Sequence, residues 1–432
     1  MVLLTAVAAL FLILARLAAE IFLSRLNEQH VRAHANEVPN AFQGTIDEVT
    51  YRKSVEYTLA KNRFGKFAEV FDTLVLLGVL FSGVLPWALR KASVQFGLSV
   101  WVMAAFLFAA GITLSIPGLP FDWYAQFKLE DRFGFNTTTM KTWLLDRVKG
   151  FLLAVVLGYP LLVLVLKVIE WTGPRWWLWA WALVVAFQLL LMLIAPILIM
   201  PLFNQFTPLS DSTLRERLFA LAKRTGFPTR SIDVMDGSKR SRHSNAFFTG
   251  FGRFRRIVLF DTLVTQLTEP QLEAVLAHEI GHYKKRHIAK LIAVSVLGLF
   301  LAFASIGWLA RQTWFYQAFG FQPQNNFASA SIVPAMLLFA LLAGTISFWI
   351  TPLINLWSRR FEYQADAFAR EVMAEAQSLI GALRKLNEKN LSNLTPHPLY
   401  SGFYYSHPTL LERERALNGR DSKVQGPKSE VA

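Results

Sequence analysis

Seven stretches of this chain are apolar for 20 residues or more. A bilayer core takes about 20 such residues as helix, so the pattern points to a mainly α, polytopic membrane protein. The windows are Val2–Leu23, Val70–Leu89, Gly97–Ile116, Gly150–Trp171, Trp176–Met200, Ile288–Ala310 and Ser331–Leu353. At 53% hydrophobic and 17% charged residues, the chain is also too apolar for an average soluble domain. The first window has no basic segment before it and no clean small-residue cleavage site, so it reads as a retained span. Arg16 and Glu20 stand four residues apart within it, placed to pair on one face and look into the protein.

Lys and Arg set the orientation. The first, third and fifth connections are rich in them, from Arg25 to Lys66, from Lys128 to Lys149 and from Arg215 to Arg286. The second holds only Arg90 and Lys91, the fourth Arg175 and the sixth Arg311. Basic loops stay in the cytosol, which predicts an outside N-terminus and places the fifth connection and the C-terminal tail inside. The net charge of +14 is then a property of these loops. There is no Arg-rich helix or aromatic-basic platform for nucleic acid.

The fifth connection is long enough to fold. SDSTLRERLFALAKRTGF predicts a helix capped by Ser210 or Asp211 and closed at Gly226. SIDVMDG and RRIVLFDTLV predict short strands around a Gly-rich turn, FTGFGRF. TEPQLEAVLAHEIGHYKKRH predicts a helix with Thr268 as its N-cap. The boundaries expected from this pattern are a five-span membrane region over 1–203, a catalytic region over 204–420 containing the last two spans, and a disordered tail over 421–432.

The chain has no cysteine, so a metal would be held by His, Asp and Glu. His278 and His282 share one helix face, and Glu279 beside them can reach a water without ligating the metal. This is the H-E-x-x-H pattern of two zinc ligands and a general base. A hydrolytic site needs a third ligand. A metzincin-type third His would fall at Ile288. His287 is one residue out of step and reads as a basic residue at the membrane interface beside Lys284, Lys285 and Arg286. Glu362 and Asp366, four apart after the seventh window, offer a third ligand and a hydrogen-bond partner for a ligating His. The same spacing fits an ordinary charged helix whose Arg359, Arg360 and Glu362 make surface pairs.

HEIGH, SRRFEYQADAFA and YSHPTLLERERAL together resemble the integral-membrane zinc metalloproteases of the CAAX prenyl protease 1 type. PLFNQFTPL, DGSKRSRHSNAFFTGFG, RIVLFDTLV and EDRFGFNTTT look like that family's segments too, and the resemblance runs from about Tyr51 to Leu417. It implies seven helices enclosing a water-filled chamber, closed on the cytosolic side by a gluzincin-like domain with a small β-hairpin and an edge strand. It implies one Zn2+ held by His278, His282 and Glu362, with Glu279 as general base and Asp366 behind a ligand. His407 would stabilise the oxyanion, and Asn245 and Ala246 would pair with the substrate backbone. Arg359 and Asn355 fit the family pattern without an assignable step.

The expected function is zinc-dependent cleavage near the C-terminus of a peptide or protein substrate, including one prenylated at a CAAX motif. The alternatives are a membrane-protein quality-control protease of the same chemistry and, remotely, a zinc-binding transporter or scaffold. The expected place is a bacterial inner membrane in preference to the endoplasmic reticulum.

Overall fold

The computed structural model describes residues 1–250, 255–322 and 329–419. Residues 251–254 of the expected Gly-rich turn and the polar tail after Arg420 lie outside them.

The first helices outrun their apolar windows. α1 spans Val2–Ala33 and α2 spans Glu48–Phe81, capped where Asp47 accepts from the Thr50 N–H at 2.8 Å. At Gly83, whose φ of +78 suits a residue without Cβ, the chain bends by 53° into α3, Val84–Phe96. α4 (Val100–Ser115) leads through α5 (Leu119–Tyr124) into a π-helical stretch, Ala125–Glu130. α6 (Met140–Leu153), α7 (Tyr159–Thr172), α8 (Trp176–Ile194) and α9 (Met200–Phe203) lie in one helical run of 64 residues. Straight, that run would measure ~96 Å against a hydrocarbon core of about 30 Å. It is broken at Gly173 (φ +56), and Leu166 and Ile169 pack with Trp176 and Ala180 beyond the break.

By length and composition five helices qualify as spans, or six with α2 and α3 taken as one bent span. Two of the seven apolar windows share the 64-residue run, which is why this count is lower. Phe11, Leu74, Trp101, Val156, Ile197, Leu297 and Leu353 are all more than half exposed, as side chains facing lipid would be.

After α9 the chain builds a small mixed sheet. β1 (Phe206–Pro208) and α10 (Thr213–Arg224) precede β2 (Ser231–Met235), β3 (Ala246–Thr249) and β4 (Arg256–Phe260). The order is β1-β2-β4-β3, with β2 and β4 parallel and both outer strands antiparallel to their neighbours. The cap of α10 is Ser212, not Ser210 or Asp211: its hydroxyl accepts from the Arg215 N–H at 3.4 Å. α11 (Asp261–Gln266) leads to α12, Glu269–Lys284, opened by a reciprocal Thr268–Gln271 capping box.

α13 (His287–Leu309) and α14 (Thr313–Gln317) follow, and then α15, 45 residues long over Ser329–Met373. The seventh window and the acidic pair after it are therefore one continuous helix. α16 (Gln377–Lys389), α17 (Pro398–Tyr404) and α18 (Leu410–Leu417) close the described chain.

The core of this half reaches back across position 203. Val31, Phe42, Ile46 and Tyr51 pack in one cluster with Leu218, Leu221, Ile257 and Leu276. Each such fully buried apolar side chain contributes about 1.5–3 kcal/mol, so the segment between α1 and α2 stabilises the catalytic half.

Candidate metal centre and substrate cleft

Two helices make the centre, and a glycine sets their distance. A Cβ on Gly281 of α12 would lie 2.9 Å from Ala365 Cα of α15. Ala365 and Ala369 are fully buried beside it. Small residues on both helices let the backbones approach until the side chains on either flank meet.

His278 Nε2 and His282 Nε2 are 3.2 Å apart. Glu362 completes a triangle, with Oε2 3.5 Å from His278 Nε2 and Oε1 3.3 Å from His282 Nε2. Two ligands bonded at 2.0–2.1 Å to a tetrahedral ion stand about 3.3 Å apart, so the spacing of the two imidazole nitrogens matches such an edge, and one carboxylate oxygen of Glu362 lies within 4.8 Å of both. Glu362 is 3% exposed, and its Oε2 accepts no hydrogen bond, although Arg413 Nη1 stands 3.7 Å away. A buried carboxylate oxygen is costly unless it is both paired and hydrogen-bonded, and Arg413 supplies the charge alone. The donor set of two imidazoles and one carboxylate fits a divalent metal. Burial opposes protonation of His278, but its hydrogen bonds to Asp366 and Glu362 outweigh it and lift the pKa to about 9. The pocket favours positive charge.

The ligand nitrogens are presented with lone pairs forward. Asp366 Oδ1 accepts from His278 Nδ1 at 2.8 Å, so in the neutral ring Nε2 is the bare nitrogen. Asp366 is held in turn by Arg413 of α18, whose Nε and Nη2 donate at 2.8 and 2.5 Å. The Thr409–Glu412 capping box starts α18 and puts Arg413 in its first turn.

His282 is set by His287. Gln364 Oε1 lies 2.9 Å from His287 Nε2, which makes Nε2 the donor and Nδ1 an acceptor. His282 Nδ1 donates to it at 3.1 Å, so His282 Nε2 faces the site bare. His287 is 1% exposed and stacks on Phe361 at 4.2 Å, so it is no interfacial residue. Arg286, at φ +56 and ψ +34, turns the chain between α12 and α13 and brings His287 back over His282.

Glu279 follows His278 directly in α12 and is partly buried. Burial raises its carboxyl pKa, against the pull of His278 and His282. No described residue gives it a hydrogen bond.

His407 approaches from the other side, its Nε2 3.4 Å from Glu362 Oε1 and its Nδ1 2.9 Å from Ser406 Oγ. With the Ser406 hydroxyl donating to Nδ1, Nε2 carries the proton and points inward. A cavity of about 560 Å³ opens beside His407 and Arg413 and reaches Tyr57, Lys61 and Asn62 on α2. At the far end of the sheet, β3 leaves one side unpaired by any strand among the described residues. Exposed Asn245 stands at its head, with Oδ1 accepting from the Ala246 N–H at 2.8 Å.

Two family models divide the chain between them. The CAAX prenyl protease N-terminal region, described as five membrane helices, matches residues 27–205, and peptidase family M48 matches residues 208–421. A CAAX prenyl protease 1 homolog of Arabidopsis thaliana is 38% identical over 396 residues, covering 90% of this chain and 92% of its own. CAAX prenyl protease 1 of Saccharomyces cerevisiae is 38% identical over 414 residues, covering 90% of each. The crystal structure of S. mikatae Ste24p superposes with a TM-score of 0.87 at 37% identity, covering 96% of this chain and 98% of that one. The chain belongs to the CAAX prenyl protease 1 family. It is a multi-pass membrane metalloendopeptidase.

Arg359 and Asn355 find their work in this family member's fold. A helix leaves its last carbonyls without partners. Arg359 Nη1 donates to the carbonyl oxygens of Ser401, Gly402 and Tyr405 at 3.4, 3.1 and 2.7 Å, and Asn355 Nδ2 donates to that of Phe403 at 2.7 Å. Both tie the end of α17 to α15 just before His407. Arg413 and Gln364 went unassigned in the sequence although both lie in the resembling segments. The one signal for Arg413 is its place one turn beyond a capping-box threonine.

Proposed function

We propose that the chain is a zinc endopeptidase that hydrolyses a peptide bond near the C-terminus of a prenylated substrate. The observation that carries this is the cluster of His278, His282 and Glu362, with Glu279 beside His278 in α12 and free of hydrogen bonds among the described residues. His278, His282 and Glu362 would hold a zinc ion, which when bound would supply Lewis-acid polarisation of the scissile carbonyl and a water of pKa near about 7. Glu279 takes the attacking water's proton and passes it to the leaving amine, a role that a carboxyl pKa raised by burial suits. His407 Nε2–H donates to the developing oxyanion. Asp366 and Arg413 keep His278 in the right tautomer, and His287 with Gln364 does so for His282.

The substrate lies extended along β3, which accepts a further strand, with Asn245 and Ala246 at the point of contact. The basic connections support an active site on the cytosolic face. Seven crossings, with α7 and α8 as two of them, would bring α12 and the end of α15 to that face together. The name of the chain's relatives, CAAX prenyl protease 1, supports a prenylated substrate.

The test compares a farnesylated CAAX peptide with its unprenylated twin. One product, three residues shorter, from the farnesylated peptide at much higher kcat/KM supports the reading. Equal cleavage of both, or many products from each, contradicts it.

A further inference from the structure

A second cavity, of about 760 Å³, lies on the opposite face of α2. The cavity beside His407 uses Tyr57, Thr58, Lys61 and Asn62 of that helix. The second uses Glu56, Leu59, Ala60, Arg63, Phe64 and Phe67, about half a turn away. Its other wall is α5 and the π-helical stretch that follows.

The floor is aromatic. Phe64 stacks on Tyr124 with centroids 5.3 Å apart, and Phe67 on Phe121 at 5.8 Å. These rings sit at the edges of the apolar windows that begin at Val70 and end at Ile116, the level at which aromatic residues meet headgroups.

The rim is cationic. Arg63, Lys128 and Arg132 line the cavity, and none has an ion-pair partner among the described residues. Lys128 rests on Trp123 at 5.8 Å and Arg132 on Phe133 at 5.3 Å. Arg32 also lines it, already paired with Glu28 at 2.9 Å. Glu56 is the one acid in the lining.

The two walls run antiparallel, yet they grade the same way. On α2, Arg63 precedes Phe67 by four residues, about 6 Å along the axis. On the other wall, Lys128 and Arg132 follow Tyr124 by four and eight residues. Both therefore pass from aromatic at the membrane edge to cationic beyond it.

We propose that this cleft is a binding site for one anionic phospholipid. Its acyl chains lie on the Phe64, Phe67 and Phe121 rings, and its phosphate lies between Arg63, Lys128 and Arg132. The excess of cations selects a net negative headgroup over a zwitterionic one. It also disfavours a basic lipidated peptide, which would meet like charge here. The bound lipid braces the outer wall of α2, whose inner wall lines the cavity beside His407.

The test titrates the full-length detergent-solubilised protein with phosphatidylglycerol and with phosphatidylcholine, reading bound lipid by native mass spectrometry. Wild type should retain phosphatidylglycerol at one per chain in preference to phosphatidylcholine. The triple variant Arg63→Ala/Lys128→Ala/Arg132→Ala should bind it roughly tenfold more weakly or worse. Peptide cleavage in phosphatidylcholine reports that this variant is folded; if it is not, Arg63→Gln alone carries the comparison. Arg52→Ala/Lys53→Ala/Lys141→Ala, which removes three cations outside the cleft, should bind as wild type does. The proposal fails if the first triple binds phosphatidylglycerol like wild type. It also fails if the control triple loses as much, or if a farnesylated peptide displaces the lipid stoichiometrically.

Discussion

The metal side and the substrate side of this centre are built to different standards. On the metal side Glu362, Asp366, His278, His287 and Arg413 are all under a tenth exposed, and each imidazole nitrogen has an assigned direction. On the substrate side His407 is largely exposed, Asn245 is exposed, and the outer edge of β3 pairs with no strand among the described residues. The first set can be fixed by the chain alone because all its partners are in the fold. The second leaves donors and acceptors for a backbone that arrives from outside. Holding the metal and turning over substrate are therefore separable, and point changes can break one without the other.

Apart from the loss of Glu279, the largest such effect is expected at His407. His407→Ala should lower kcat by about 10²–10³ with metal affinity unchanged, as loss of an oxyanion donor does; a metal titration beside steady-state kinetics checks both halves. Changes behind the ligands should do the reverse. Asp366→Ala and His287→Phe should each weaken metal binding by about 10–100-fold. The phenyl ring keeps the stack on Phe361 but offers no acceptor, so unchanged metal affinity there would refute the tautomer role of His287. Gly281→Ala should destabilise the fold by about 1–3 kcal/mol through the clash with Ala365, read as a lower Tm. The smallest effect is expected for Asn245→Ala: KM rises a few-fold, in line with the loss of one hydrogen bond of about 0.5–1.5 kcal/mol, and metal content stays the same.

What could be read in the sequence follows the same divide. The H-E-x-x-H spacing puts two imidazoles on one helix face by geometry alone, and Thr268 announces the start of that helix. Glu362 and Asp366 were legible as an i,i+4 pair, but only the close approach at Gly281 and Ala365 brings them to the histidines. That approach depends on small residues with no chemistry of their own to attract notice. His287 was misread because its neighbours Lys284, Lys285 and Arg286 are exposed, and a left-handed turn at Arg286 is invisible to a helical pattern. The packing of Val31, Phe42 and Tyr51 into the catalytic core was hidden for a similar reason. A hydrophobic window shows where a span lies, not how far its helix runs beyond the membrane.

The most direct measurement is metal stoichiometry and single-turnover cleavage for wild type and Glu279→Gln, side by side. The account predicts one zinc per chain in both proteins, at matched affinity, with cleavage lowered by about 10²–10⁴ in the variant. Retained cleavage at equal metal content, or loss of the metal with the carboxylate, would contradict it.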